Sequence, residues 1–315
     1  MRIILCGLIG RYPWGGVAWC SLMYLLGLRR LGHEVWYLED TLGCNFDPEA
    51  NALATDLGYA LRRIHETLAL QGAIEASVDD PKKRWHVDFF RRDDRLFTFG
   101  ANIGAPASDI PTAGFTWIPT WQPVDLDARK PSSLPPRRTW TMVMTWRIES
   151  FKGIGGNKDS EFAAVLGLAS ELRSHGVEME LAVAGPRQLL ADAGWRTVDA
   201  FAASSDFWRY HAFLSSSRAE FSVAKHTHVR TRSGWFSDRT ACYLAAGRPA
   251  VVQDTGFSAH LPKGEGLLAW STPEEARDAI LREEADLSLH ERRAREVAEE
   301  CLRAETVLGR LLGEL

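Results

Sequence analysis

The residues best placed to do chemistry lie between Ser233 and Gly256, where Ser233-Gly234-Trp235-Phe236 leads into Ser237-Asp238-Arg239 and on to Leu244-Ala245-Ala246-Gly247-Arg248-Pro249. Ser237 is a good N-cap, Asp238 favours the positive end of a helix dipole, and Ala241, Leu244 and Ala245 recur on one buried helical face. Gly247 closes the helix in a left-handed conformation, Pro249 stops it, and Ala250–Gln253 supplies a short apolar strand. A glycine-containing loop feeding a capped helix leaves backbone N–H groups aimed at one spot, which suits a phosphate or another anion. Arg239 in the first turn adds a charge-assisted contact, so Ser237 and Arg239 are candidate phosphate ligands. The same residues also describe an ordinary helix–strand unit of an α/β domain.

Two other loops carry chemistry-bearing residues. Arg147-Ile148-Glu149-Ser150-Phe151-Lys152-Gly153-Ile154-Gly155-Gly156-Asn157-Lys158 combines cations with glycines directly after an apolar strand. Gly7-Leu8-Ile9-Gly10-Arg11-Tyr12-Pro13-Trp14-Gly15-Gly16 follows the first strand, at the carboxyl end where open parallel sheets bind ligands. Its glycines are not spaced G-x-G-x-x-G, so a dinucleotide site, with Glu39 as the ribose ligand, is weakly supported. Lys225-His226-Thr227-His228 follows a later strand and faces the same side, but no third ligand accompanies the histidines, so no metal site is expected.

The elements that must position these loops repeat. Arg2 to Cys6 reads as a buried strand, Val17 to Leu31 as a helix and Glu34 to Leu38 as a second strand. Residues 47 to 77 read as a helix with Leu53, Leu57, Leu61, Ile64 and Leu68 as its apolar stripe. Strands over 95 to 99 and 115 to 119 follow. Then come the prolines and charges of Asp125 to Arg138, which describe a linker. Thr139 to Trp146, a helix from Asp159 to Ser174, and the strands Glu178 to Ala184 and Ala219 to Val223 begin the pattern again. The reading is an α/β chain of two Rossmann-like domains facing across a cleft: 1–126, a linker 127–138, then 139–290. A closing helix over 291–315 is expected to pack back towards the first domain.

Composition sets limits. The chain has 315 residues, 25% of them charged, and a net charge of −4, so duplex nucleic acid is not an expected partner. The five cysteines form no CxxC pair and read as small apolar fillers in a reducing cytoplasm. No segment has the length of a membrane span. Of the twelve tryptophans, Trp14, Trp117, Trp121 and Trp235 sit beside loops or prolines, where a ligand cleft would be lined.

These pieces together resemble a GT-B glycosyltransferase, the two-domain class that uses nucleotide-sugar donors. The resemblance is carried by Gly15-Gly16, Leu31-Gly32-His33-Glu34-Val35, Arg147, Lys152-Gly153, Gly185-Pro186 and the 233–256 stretch, whose Leu244 to Pro249 is similar to a shared "LAxGxP" helix end. It implies sugar transfer from a nucleotide-diphosphate sugar without metal or cofactor. The acceptor would be a small molecule or glycan, and the protein a monomer or homodimer. Arg147 and Lys152 stand at the positions that hold the donor diphosphate, with Lys158 competing for the second role and Gly15 and Gly16 beside them. Gly185, His226, His228, Asp254 and Thr255 are candidates for sugar and nucleoside contacts.

Retaining members carry glutamates spaced E-x7-E, and here those positions are Gly234 and Cys242. Asp238, one helical turn before Cys242, is the acid that could partly replace them. The reaction separates charge at the anomeric carbon, so fixed cations and helix N–H groups must meet the departing diphosphate. Inversion would also require a base for the acceptor hydroxyl, for which His86, Asp88, Asp40 and His65 are candidates. An epimerase, or a catalytically silent relative that only binds nucleotide or glycan, remains an alternative on the same fold.

Overall fold

A computed structural model describes residues 1–39, 46–47, 52–54, 62, 64, 66–67, 76–78, 95–130, 136–147 and 157–315. The apolar run β1 (Arg2–Cys6) leads into helix α1 (Gly15–Arg30) and then β2 (Glu34–Glu39), which pairs parallel with β1 from Arg2↔Glu34 to Cys6↔Leu38. β3 (Phe46–Asp47) and β4 (Ala52–Leu53) form a short antiparallel pair, and β5 (Ala76–Val78) joins β2 to complete a sheet ordered β1-β2-β5. The single helix expected over 47 to 77 therefore gives way to strands at both ends, with helical backbone described at 62, 64, 66 and 67. Partner strands decide that outcome: β5 gains its ladder from β2, a tertiary contact that leucine spacing does not encode. β6 (Leu96–Thr98) and β7 (Trp117–Pro119) pair in parallel.

The second half holds a six-stranded parallel sheet of β8 (Thr139–Thr145), β9 (Glu178–Ala184), β10 (Arg196–Asp199), β11 (Glu220–Ser222), β12 (Ala250–Gln253) and β13 (Leu267–Trp270). Their order is β10-β9-β8-β11-β12-β13. Trp140, Met142, Leu181, Phe221 and Val251 are buried on it, as strands covered on both faces require. The helix expected from Asp159 to Ser174 is broken into Lys158–Phe162, a 3-10 turn Ala163–Val165 and Leu168–Arg173, with Gly167 at the second break. Among the described residues, no helix is long and apolar enough to cross a membrane.

One apolar cluster runs through both halves. Trp19 and Leu22 of α1 pack with Phe207, Tyr210 and Leu214 of α2 (Phe207–Ser216) and with Ala241 and Leu244 of α3 (Asp238–Ala245). The chain's end closes the arrangement: the Val124 N–H donates to the Leu302 carbonyl at 2.8 Å, and the Ala304 N–H to the Val124 carbonyl at 2.9 Å. Helix α4 (Ala304–Gly313) thereby lies on α1, so close that a Cβ on Gly27 would stand 2.5 Å from Leu308 Cδ1 and 2.7 Å from Ala304 Cβ. At the end of α1, Arg30 holds buried Asp125 through Nε at 2.6 Å and Nη2 at 3.1 Å. Within the expected linker Leu126 and Arg129 are buried, while Asp127 and Lys130 are exposed. Arg129 is fully buried, its guanidinium 3.6 Å above the Trp19 ring and its Nη1 2.7 Å from His211 Nδ1.

A polar anchor fixes α3 to the sheet. Ser237 caps the helix by accepting the Arg239 N–H at 3.2 Å, and Gly247, at φ +69°, ends it. The Arg239 side chain then turns inward, donating from Nε to Glu220 Oε1 at 2.6 Å, from Nη1 to the Val143 carbonyl at 2.7 Å and from Nη2 to Ser222 Oγ at 2.7 Å.

Two stability outcomes follow. Gly27→Ala will lower stability by about 1–3 kcal/mol through overpacking against α4, although the same change in an open helix interior gains about 1 kcal/mol. Gly309→Ala, where nothing lies within 4 Å of the added Cβ, will show that gain, and urea unfolding of the two variants checks the contrast. Arg239→Met will cost about 3–5 kcal/mol by stranding Glu220, while Arg239→Met with Glu220→Met will recover most of the loss. The same unfolding measurement, run as a double-mutant cycle, decides it.

Candidate functional site

A cleft of about 760 Å³ opens at the carboxyl ends of the parallel strands of both sheets. One wall carries Cys6, Gly7 and Leu8 after β1 with Trp14, Gly16 and Cys20 at the start of α1. The facing wall carries Val143 to Thr145 from β8, Ala184 from β9, Lys225, and Trp235 to Arg239 without Phe236. Val17, Phe99, Gln122 and Tyr210 add to the lining.

The first wall is set by a buried carboxylate. Glu39 accepts from the Gly10 N–H at 2.9 Å, the Arg11 N–H at 2.6 Å and the Tyr37 hydroxyl at 2.8 Å, while that hydroxyl also accepts from the Ile9 N–H at 3.0 Å. The tyrosine crosses so near that a Cβ on Gly7 would meet its oxygen at 2.3 Å, which is why glycine stands there. Burial beside Glu39 pushes the Tyr37 hydroxyl far up, so it stays a neutral donor. Glu39 thus binds its own loop, and the dinucleotide reading loses its ribose ligand.

Of the expected phosphate ligands, Ser237 and Gly16 line the cleft, as does Asp238. Arg239 also reaches it, but its guanidinium is held by Glu220, Val143 and Ser222. Lys158 is likewise turned inward: Nζ donates to the Val223 carbonyl at 2.6 Å. Burial, reinforced by nearby Arg239, holds its pKa well below the usual lysine range, and its Nζ faces the Val223 carbonyl instead of a phosphate in the cleft. Gly15 packs on α2, where an added Cβ would meet the Asp206 carbonyl and Tyr210 Cβ, each at 2.5 Å. Arg147 is mostly exposed just past β8, 4.0 Å from Asp159. Lys152, His86 and Asp88, with Asp40 and His65, lie outside the described residues.

The sugar and nucleoside candidates fall mainly behind the cleft wall. His226 Nδ1 meets Glu161 Oε1 at 2.6 Å, and Glu161 also accepts from Gln253 Nε2 at 2.5 Å. Gly185 backs onto Trp146, whose Cβ would be 2.4 Å from a Cβ there. Asp254 closes its own turn, accepting from the Gly256 N–H at 2.7 Å and from Ser258 Oγ at 2.6 Å. Thr255 donates its hydroxyl to the Trp235 carbonyl at 2.5 Å, and His228 stacks on the Trp235 ring. Thr255 and His228 therefore act as supports of the wall.

The two glutamate positions of the retaining pattern differ in what they leave open. Gly234 has φ +75°, and a Cβ on it would stand 2.8 Å from the Asn102 N and 2.9 Å from the Ala101 N. Cys242 is buried on α3, and burial pushes its thiol up to about 11. Trp14 and Trp235 are the two loop tryptophans that line the cleft, while Trp121 packs edge-on against Phe236 at 6.4 Å. Sequence reading did not single out Gln122, Tyr210 or the buried Arg129, and named Lys225 only as part of the stretch that holds His226 and His228. Tyr210 had a signal in its spacing with Phe207 and Leu214; Gln122 and Arg129 are placed by contacts distant in sequence.

No family model matches the chain, and no curated protein is significantly similar to it in sequence. Solved structures are similar along its whole length. An alpha-glucosyltransferase in complex with UDP and a 13-mer DNA containing a central A:G mismatch superposes with a TM-score of 0.57 at 12% identity, over 100% of this chain and 99% of that one. A sucrose-phosphate synthase from Thermosynechococcus elongatus gives 0.57 at 11% identity over 100% and 98%, and a glycosyltransferase from Rickettsia africae ESF-5 gives 0.55 at 10% over 99% and 96%. The DNA complex overturns the expectation that nucleic acid is excluded as a partner. A net charge of −4 describes the whole surface and not the face that meets a ligand, so it carries no such exclusion on this fold. At these identities the likeness is one of architecture: the chain has the fold of the GT-B glycosyltransferases.

Proposed function

We propose that the protein is a glycosyltransferase that moves a hexose from a nucleotide-diphosphate sugar to an acceptor hydroxyl, in the cleft between two Rossmann-like domains spanning 1–126 and 139–290. The observation that carries this reading is the position of the cleft. It lies at the carboxyl ends of both parallel sheets, with the capped N-terminus of α3 in its wall, on a chain similar to glycosyltransferases from end to end.

The chemistry follows from what faces that space. As the glycosidic bond breaks, the diphosphate gains charge, and the α3 N-terminus with Lys225 is assigned to meet it, Arg147 and Lys152 being added to them by the resemblance alone. No metal is then needed for donor binding. Asp238 is the carboxylate of this wall and takes the sugar side, where the developing oxocarbenium ion is positive. The acceptor enters along the first wall, whose Leu8, Trp14 and Val17 suit an apolar aglycone or the flat face of a glycan.

The absence of the glutamate pair at Gly234 and Cys242 favours one second reading, a nucleotide-binding relative without transferase activity. Binding and turnover separate the two. UDP or another nucleoside diphosphate at 100 times its Kd should stabilise the protein by about 2.7 kcal/mol, a rise in Tm of roughly 5 °C, and the rise should survive EDTA. Transfer should be detected from the matching nucleotide sugar when small aglycones, glycans and duplex DNA are offered, and Asp238→Asn should lower it at least about 100-fold. Stabilisation with no turnover on any acceptor points to the silent relative. Stabilisation by NAD alone defeats the reading.

A further inference from the structure

Glu283 lies in the core without a partner. It belongs to the helix Pro273–Ala285, which packs on β12 and β13, and none of its surface is exposed. Both of its carboxyl oxygens lack a hydrogen bond among the described residues. Facing it from the next helix, Leu287–Val297, is buried His290, whose Nδ1 stands 3.8 Å from Glu283 Oε1. That nitrogen already accepts the Gly266 N–H at 3.0 Å, so it has no lone pair left for the acid. The charged neighbours are engaged elsewhere. Glu284 is gripped by Arg218 Nε at 2.5 Å and Trp140 Nε1 at 2.7 Å, and Glu265 pairs with Arg293 at 3.1 Å. Asp286 accepts the Leu289 N–H at 3.1 Å, Glu171 pairs with Arg277 at 3.1 Å, and Arg282 is exposed. β12 and β13 have no charged residue. Burial pushes the Glu283 carboxyl well above the ordinary carboxylate range, with Glu284 adding to the shift and Arg282 opposing it.

The helix Leu287–Val297 that rests on this acid acts as a strap. Its Glu291 accepts from Arg248 Nη1 at 2.6 Å, just past the end of α3. Its Arg295 donates from Nη1 to the Ala245 carbonyl and to the Arg129 carbonyl at 2.9 Å, and from Nη2 to the Leu126 carbonyl at 3.3 Å. The strap thus ties the carboxyl end of α3 to residues 126–129, while the other end of α3 lines the cleft. Its seat is tight, since a Cβ on Gly266, at φ +73°, would run into the Ala294 N. A buried carboxylate with no cation or donor to meet it is strongly disfavoured, so the surroundings must open to hydrate it. We propose that Glu283 is a pH-sensitive seat for this strap: loss of its proton to solvent lifts the helix off Gly266 and slackens its hold on α3 and on residues 126–129. The direction of the shift fixes the sign. The contribution of Glu283 to stability is complete below the unfolded glutamate value of about 4.3, and it is lost as the pH rises through the folded value.

Urea unfolding and amide hydrogen exchange on the full chain test it, comparing the wild type with the neutral variants Glu283→Gln and Glu283→Met between about pH 5.5 and pH 9. The wild-type unfolding constant should rise with pH faster than that of either variant, by up to about tenfold per pH unit. Exchange, corrected for its intrinsic pH dependence, should quicken in residues 286–297 and at Gly266 before it does in β8 and β9. Both variants should keep those amides protected to the top of the range. Unfolding constants of wild type and variants that change in parallel overturn the proposal, and so does wild-type exchange that rises equally in the strap and in β8. If Glu283→Gln does not fold, Glu283→Met decides, and if neither folds the wild-type exchange profile decides alone.

Discussion

The second wall of the cleft depends on how Arg239 is buried. A guanidinium cannot be neutralised at accessible pH, so a buried one must find partners for its donors or unfold its surroundings. Here Glu220 of β11, the Val143 carbonyl of β8 and Ser222 Oγ take three of them, and α3 is thereby drawn onto the middle of the sheet. Lys158 shows the same constraint from the other side. Two buried basic side chains share the neighbourhood of Glu220: burial with Arg239 alongside lowers the pKa of the lysine, while the arginine, paired with Glu220, keeps its charge. Neither cation was placed to hold a ligand; together they hold the turn and the helix end that do face the cleft.

The first wall is joined to this frame by contacts rather than by sequence neighbourhood. Asn102 donates its backbone N–H to the Ser233 carbonyl at 3.1 Å and its side-chain Nδ2 to the Arg232 carbonyl at 2.8 Å, and its Oδ1 lies 2.7 Å from His260 Nε2. Such close passage of loop 100–105 over 232–236 needs Gly234 and Gly256, both at positive φ and both without room for a Cβ. The crowding that removes any side chain at 234 is therefore the same crowding that seats Trp235 against Gly100 and Phe99. Sequence there is constrained by the seam, and the cleft inherits its shape.

How much was legible depended on how local the determining contact is. The capped helix with Ser237, Gly247 and Pro249 stands as its residues indicated, because each signal acts within one turn. The parallel strands of the second half followed from short apolar runs, although Arg196–Asp199 and Leu267–Trp270 carry too weak a pattern to separate from loop. The cations were misread for a common reason. Arg239, Lys158 and Arg129 look like solvated residues in loops, a helix start or a linker, and only a partner far along the chain shows that they point inward: Glu220, Val223 and Trp19 respectively. The helix expected over 47 to 77 failed the same way, since β2 claims Ala76–Val78.

The absent glutamate pair narrows the chemistry of the cleft. Replacing Gly234 by an acid would force apart the backbone of Ala101 and Asn102, whereas Cys242 is a buried position of α3 that faces Arg129. Arg129 is the buried cation beside that position: burial lowers its pKa, and Cys242 acts on it through charge and a side-chain hydrogen bond. A thiol in place of a carboxylate leaves that guanidinium without a counter-ion, at a cost that stacking on Trp19 and the His211 contact only partly offset. This charge lies behind the wall, whereas the carboxylate of Asp238, one helical turn before Cys242, lines it.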